Sequence, residues 1–272
     1  MINSVLKAID ILNLFSTSEP RLSLAEISQR QRLPKATAHN LLNTLLAREF
    51  VEKADDGRYA LGTAIVALTQ AVRVNVELRD GAAPLLRRLA DACRESAYLC
   101  IPDGDQSLYI YAVESPDRLR ARTAVGDHAC LHCTAVGKAM LSCMSKEQVD
   151  ALIERVGLPR FTEETITDRQ ALHRELEQTR ARSYAIDRGE HEPGLYCIGA
   201  PILDKSGQVV AACSISGRDV QIIRDKREAF SARVTYTAQE ISRHLGYVPD
   251  RPSSVVPVPI ASEADDRVEV RR

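Results

Sequence analysis

Apolar residues recur at helical spacing from the start of the chain. Val5, Ala8, Ile9, Leu12 and Phe15 fall on one face of a helix expected over residues 4–15. Ser23, followed three positions later by Glu26, has the form of a capping box for a second helix over residues 24–31. Arg32 and Leu33 then read as a short turn, and Pro34 stands where a helix start tolerates a missing N–H. The third helix is expected to run to about Arg48, with Leu41, Leu42 and Leu45 inward. Lys35, Thr37, His39, Asn40, Asn43 and Thr44 then lie mostly outward. Next the chain reads as a compact hairpin: residues 50–53 and 58–61 are short strands joined by Ala54-Asp55-Asp56-Gly57. An alanine- and valine-rich stretch over residues 63–78 is expected as a linker helix. Its apolar surface, Ile65, Leu68, Val72 and Val76, suits a partner chain.

Beyond Asp80 the periods mix. Helices are expected over residues 82–95, 135–143, 146–156 (cap Ser145), 168–182 (cap Thr167) and 224–245. Strands are expected over 98–101, 107–114 and 119–124, and over 196–203 and 208–216, the last two joined through Lys205-Ser206-Gly207. Helices and strands do not alternate regularly, which predicts an α+β fold with a mainly antiparallel sheet. Residues from Val248 onward, with Pro249, Pro252, Pro257 and Pro259 and then charges, read as a poorly ordered tail. The expected organisation is a helix-and-hairpin unit over 1–62, a linker helix over 63–79, a second domain over 80–247 and a tail over 248–272.

Composition narrows the class. With 27% charged and 44% hydrophobic residues the chain is that of an ordinary soluble protein. No apolar run nears the roughly 18 residues of a membrane span, and the start lacks a secretory pattern. The expectation is therefore a cytoplasmic protein without membrane association. Its seven irregularly spaced cysteines stay reduced there and form no disulfide framework. The net charge of −1 gives no help to a nucleic-acid reading, but its distribution does. No acidic residue lies between Glu26 and Glu49, whereas Arg30, Arg32, Lys35 and Arg48 are basic. Three short helices and a hairpin make a winged helix-turn-helix, whose third helix enters the major groove by its N-terminal half. Lys35 and Thr37 would meet phosphates, and His39, Asn40 and Asn43 could reach bases. Asn40 is the preferred reader, because asparagine pairs bidentately with adenine. Arg58 on the wing could meet a phosphate. The rival reading is a winged helix used for protein contact.

The ordered motifs resemble the IclR (isocitrate lyase regulator) family of bacterial transcription factors over about residues 3–247. In the first half these are Ser4-Val5-Leu6-Lys7-Ala8, Leu24-Ala25-Glu26-Ile27, Leu33-Pro34-Lys35-Ala36-Thr37 and Tyr59-Ala60-Leu61-Gly62. In the second they are Leu131-His132-Cys133-Thr134-Ala135-Val136-Gly137-Lys138-Ala139, Tyr184 to Ile198, and Ala211-Ala212-Cys213-Ser214-Ile215-Ser216-Gly217. The resemblance implies a GAF-like effector domain, and a dimer or tetramer on partly palindromic double-stranded DNA. It also implies a pocket for a small-molecule effector, an organic acid or related metabolite, with Ala135, Val136, Asp187, Cys197, Ser214 and Ser216 as candidates. Family members that bind small organic acids carry glycine-alanine where this chain has Ala135-Val136, so a shared effector does not follow. The residues make separate sense there. Ser214 and Ser216, two apart on one strand, share a face, and buried hydroxyls require partners, either a ligand or local backbone and water. Backbone amides opening a helix near Ala135 favour a carboxylate. Asp187 either orients a ligand hydroxyl or caps a turn beside Gly189.

His128, Cys130, His132 and Cys133 form a dense cluster with one C-x-x-C. Zinc accepts such ligands, but alternate residues of an extended segment point oppositely, so all four cannot converge without a turn. We assign no metal and no cofactor, and keep a cysteine-based redox or zinc-responsive DNA-binding sensor as the alternative. Cys93, Cys100 and Cys143 read as small core residues. No G-x-S-x-G, P-loop or G-x-G-x-x-G is present. His191 and Cys197 hint at a hydrolase pair, but a ligand cavity needs no nucleophile and base. A non-enzymatic protein is expected.

Overall fold

The computed structural model describes residues 1–16, 19–71, 76–115 and 125–248. The chain divides into two compact units, Met1–Val76 and Glu77–Arg272. In the first, α1 (Asn3–Leu12), α2 (Leu24–Arg30) and α3 (Lys35–Leu46) precede a hairpin of β1 (Val51–Lys53) and β2 (Tyr59–Leu61). The capping box at α2 forms as the spacing predicts. The Glu26 amide donates to Ser23 Oγ at 3.3 Å, and the Ser23 amide donates to Glu26 Oε2 at 2.7 Å. Between α2 and α3 Arg32 adopts φ 51°, and the Leu33 amide returns to the Ser28 carbonyl at 2.9 Å. Pro34 is the residue before α3 rather than its first member: with ψ 140° it is extended, and the helix starts at Lys35. Ile11, Leu22, Ile27, Leu42, Val51 and Tyr59 form the core, with Leu41 and Leu45 packed at its edge. The first helix departs from expectation. Its buried residue is Ile11; of the expected apolar stripe, Leu12 and Phe15 pack at the edge of the core while Val5 and Ile9 are exposed.

After Gly62 comes α4 (Thr63–Ala71), and α5 (Val76–Cys93) opens the second unit, so the expected linker stretch holds the start of a second helix. Val72 lies outside the described residues; Leu68 is exposed, as is Val66. Gly62 is required sterically, because a Cβ there would fall 2.1 Å from the Glu49 carbonyl oxygen.

The second unit is built on a six-stranded antiparallel sheet. Its strands are β3 (Ser96–Asp103), β4 (Gln106–Val113), β5 (His128–Cys130), β6 (Ala185–Arg188), β7 (Tyr196–Leu203) and β8 (Val209–Gly217), in the order β5-β4-β3-β8-β7-β6. The short strands β5 and β6 were not foreseen; each takes its identity from its pairing with β4 or β7. The strand expected over 119–124 lies outside the described residues, as does most of the expected tail. Alternation divides the sheet's two faces. Ala211, Cys213 and Ile215 join a core with α5 and α9 (Arg227–His244). Ala212 faces the other way, into a core with α6 (Ala135–Ser142), α7 (Lys146–Val156) and α8 (Arg169–Arg182). The α8 cap is Asp168, not Thr167: its carboxylate accepts from the Ala171 amide at 2.8 Å. A 3-10 turn, Val220–Ile223, precedes α9, which therefore begins later than the sequence pattern suggests. Cys143 is exposed rather than a core residue, whereas Cys93 and Cys100 are buried. No helix among the described residues is long and apolar enough to cross a membrane.

Candidate functional site

Helix α3 presents Lys35, His39, Asn40 and Asn43 as exposed residues, with Thr37 half-buried; Ala38 and Leu42 anchor the opposite face. His39 and Asn43, one turn apart, meet through Nδ1 and Nδ2 at 3.3 Å, so the two polar groups form one surface. On the hairpin Arg58 is exposed, and its amide donates to Asp56 Oδ1 at 3.0 Å. The basic window is narrower than its composition suggests. Arg30 is held by a bidentate contact to Glu19, at 2.7 and 2.8 Å, and its charge is locally balanced.

In the second unit a cavity of about 340 Å³ is lined by Ala135, Val136, Asp187, Cys197, Ser214 and Ser216 together. Sheet register explains why residues so far apart meet. Asp187, Cys197, Ser216 and Ser96 lie side by side across β6, β7, β8 and β3. Two residues along, Gly199, Ser214 and Tyr98 form a second row on the same face. Gly199 lets α6 descend onto the sheet: a Cβ there would stand 2.9 Å from the Ala135 carbonyl carbon and 3.1 Å from the Val136 nitrogen. Thr134 caps the helix, accepting from the Gly137 amide at 3.2 Å. The Ala135 and Val136 amides precede the first intrahelical donors and have no protein acceptor among the described residues. Val136 lines the cavity but also belongs to the α6–α8 core, which takes up part of its added bulk.

The cavity's electrostatics follow from burial. Asp187 is 2% exposed. Desolvation first and the nearby Glu190 second push its pKa up to about 7, against Lys138 and the Glu190 and Gly189 amides. Those two amides donate to Oδ1 at 2.8 and 3.0 Å, so Asp187 does brace the turn at Gly189. Lys138, fully buried, donates to Glu190 Oε1 at 2.5 Å and lies 3.7 Å from Glu175, which Arg182 and Arg188 also contact. Ser216 Oγ sits 2.6 Å from Cys197 Sγ, so one of the two hydroxyls has a local partner. Burial, then Asp187, raises the Cys197 thiol well above its ordinary value, which makes it a poor nucleophile.

Sequence reasoning missed Tyr98, Tyr109, Asp127, His128, Ala129, Thr134, His191, Glu192 and Leu195, which complete the lining. Tyr98 and Tyr109 pack edge to face, centroids 5.5 Å apart. The Tyr98 hydroxyl is buried without a hydrogen bond in the described protein. Burial pushes its pKa up to about 12, and the nearby Ser96 hydroxyl only moderates the rise. His191, earlier paired with Cys197 as a hydrolase hint, lies in the cavity wall, its ring 4.9 Å from that of Phe161. Of the His/Cys cluster, Cys130, His132 and Cys133 come together, their ligand atoms within 4.8 Å of one another. His128 turns away to Asp103, Nε2 to Oδ2 at 2.7 Å.

Comparison with known proteins fits both units. Residues 4–55 match the IclR helix-turn-helix domain, and residues 70–243 match the bacterial transcriptional regulator IclR C-terminal family. The HTH-type transcriptional regulator BhcR of Paracoccus denitrificans is 35% identical over 237 residues, 87% of this chain and 85% of that one. The crystal structure of Thermotoga maritima IclR is 32% identical with a TM-score of 0.78, covering 91% of this chain and all of that one. An IclR homolog from Microbacterium hydrocarbonoxydans, solved with 4-hydroxybenzoate, is 22% identical with a TM-score of 0.80 over 89% of this chain and 99% of that one; this likeness is one of fold. The chain belongs to the IclR family: it is a DNA-binding transcriptional regulator with a C-terminal effector domain.

Proposed function

We propose that the cavity takes a small hydroxylated organic acid, and that its occupancy adjusts the grip of the winged helix on a partly palindromic operator. The observation that carries this reading is the meeting, around one cavity, of two free helix amides with Ser214, Ser216, the unpartnered Tyr98 hydroxyl and Asp187. The Ala135 and Val136 amides suit a carboxylate, which a helix N-terminus also favours electrostatically. Asp187 suits a ligand hydroxyl as donor, and Tyr98 and Tyr109 suit an apolar body between the two ends. The volume is at the small end for ligand sites, which favours a metabolite with few heavy atoms. The 4-hydroxybenzoate held by the Microbacterium homolog has a carboxylate and a hydroxyl, the same pair of groups.

In this reading Lys35, Thr37 and Arg58 contact phosphates, Asn40 reads adenine, and His39 and Asn43 reach neighbouring bases. Two or four copies present paired winged helices to half-sites in the cytoplasm. Exposed Val5, Ile9, Val66 and Leu68 supply apolar surface for a second copy. Coupling between cavity and operator is reciprocal, so a ligand that weakens DNA binding tenfold is itself bound tenfold more weakly by the DNA complex.

The test uses purified full-length protein to select fragments from its source genome, followed by thermal-shift screening of small hydroxy acids. An acid that raises the melting temperature should also change affinity for the selected fragment, and Ser214→Ala should weaken both effects. An acid that stabilises the protein without altering fragment binding, or the absence of any stabilising carboxylic acid, defeats the reading.

A further inference from the structure

The half-turn between β5 and α6 carries donors that the cavity does not use. Residues 131–134 bend the chain enough that Cys130, His132 and Cys133 gather while His128 leaves, which resolves the objection that an extended segment would splay them. His132 is 4% exposed, and its Nε2 lies 3.0 Å from the Pro159 carbonyl oxygen. A carbonyl can only accept, so Nε2 carries the proton and the neutral ring keeps its lone pair on Nδ1. Metal-ligating histidines are oriented in this way, the second nitrogen donating to a backbone carbonyl. A cavity of about 390 Å³ borders Cys130 and His132, with Asp103 and His128 also in its wall. Space for a further ligand is therefore present beside the cluster.

We propose that Cys130, His132 and Cys133 form a site for a zinc-type divalent ion, with a fourth position open to water or a small ligand. Two thiolates, one neutral imidazole and the ion sum to no net charge, which suits a half-buried location. Tetrahedral zinc bonds of about 2.0–2.3 Å place ligand atoms roughly 3.5–3.8 Å apart, so the 4.8 Å spread closes with side-chain shifts of about 1 Å. Binding deprotonates both thiols and releases two protons per ion. The site would clamp the turn that leads through Thr134 into α6, whose first amides line the other cavity. Thr134 Oγ1 already donates to the Cys130 carbonyl at 3.0 Å. The ion would stiffen that wall without entering the effector space.

Full-length protein, stripped by chelator and kept reduced by a non-thiol reductant, is titrated with Co²⁺ alone and then with Zn²⁺. The expected result is one equivalent per chain, a thiolate-to-cobalt charge-transfer band, its loss on adding Zn²⁺, and release of two protons. Cys130→Ser should weaken binding at least tenfold and reduce the band, with His132→Gln as a second variant. Cys143→Ser, at an exposed cysteine outside the cluster, should leave both unchanged. Urea midpoints measured in chelator establish that each variant folds. Substoichiometric binding, absence of the band in the parent protein, or unchanged affinity in folded Cys130→Ser overturns the proposal. None of these outcomes bears on whether organic acids bind the effector cavity.

Discussion

Replacing Asp187 by asparagine tests the electrostatic account of the cavity most directly. The substitution keeps size and keeps an oxygen to accept from the Gly189 and Glu190 amides, but removes the charge. Burial and Glu190 raise the carboxyl from 3.8 to about 7, a difference of about 4 kcal/mol between folded and unfolded chain once the group is fully ionised. The sign follows from linkage. A carboxyl raised by folding stabilises the fold relative to its ionised form at low pH, and this contribution is lost as pH rises from about 4 through about 7. Between about pH 5 and about pH 8 the linkage amounts to roughly 2.5 kcal/mol. Wild type should therefore lose that much relative to Asp187→Asn over the interval. Urea unfolding of both proteins at the two pH values, followed by a signal from the second unit, gives the double difference, in which titrating groups distant from Asp187 cancel. A gap between the two proteins that stays constant with pH would refute the argument. Asp187 would then be ionised throughout and stabilised by contacts that outweigh its desolvation.

The other expectations rest on different features. Gly199→Ala should destabilise the second unit by about 1–3 kcal/mol, because the new methyl meets backbone atoms of Ala135 and Val136; thermal unfolding reads the loss. Lys138→Met should cost about 3–5 kcal/mol in urea unfolding, since it removes the short ion pair of buried Glu190, whose Oε2 already lacks a partner, and leaves only Arg188 at 3.9 Å. Lys35→Ala should weaken operator binding similarly across sequences and lower the slope of log affinity against log salt by about 1, whereas Asn40→Ala should relax base preference at one position. Retention of a promoter fragment unchanged by both together would remove α3 from the interface.

Local patterning made much of the N-terminal unit legible. The Ser23–Glu26 box, the turn before Lys35 and the Gly57 hairpin are short-range features, and each forms where its residues indicate. At α1 period alone gives a stripe without saying what covers it: Leu12 and Phe15 pack at the core's edge while Val5 and Ile9 are exposed, and Ile11 off the stripe is buried. In the second unit the strand alternation at Ser214 and Ser216 fixed which side chains share a face. The family resemblance, not that alternation, joined them to Ala135, Asp187 and Cys197.

Sequence by itself determined the helix carrying Lys35 and Asn40 and the common face of the two serines, because caps, turns and residue periods act over a few positions. Tertiary structure decided the rest. Sheet register set Asp187 beside Cys197 and Ser216, Gly199 allowed α6 close enough to offer its amides, and the chain reversal before Thr134 gathered three metal-type donors. Burial, which no sequence window reports, then raised the Asp187 carboxyl to about 7 and left the Tyr98 hydroxyl without a partner.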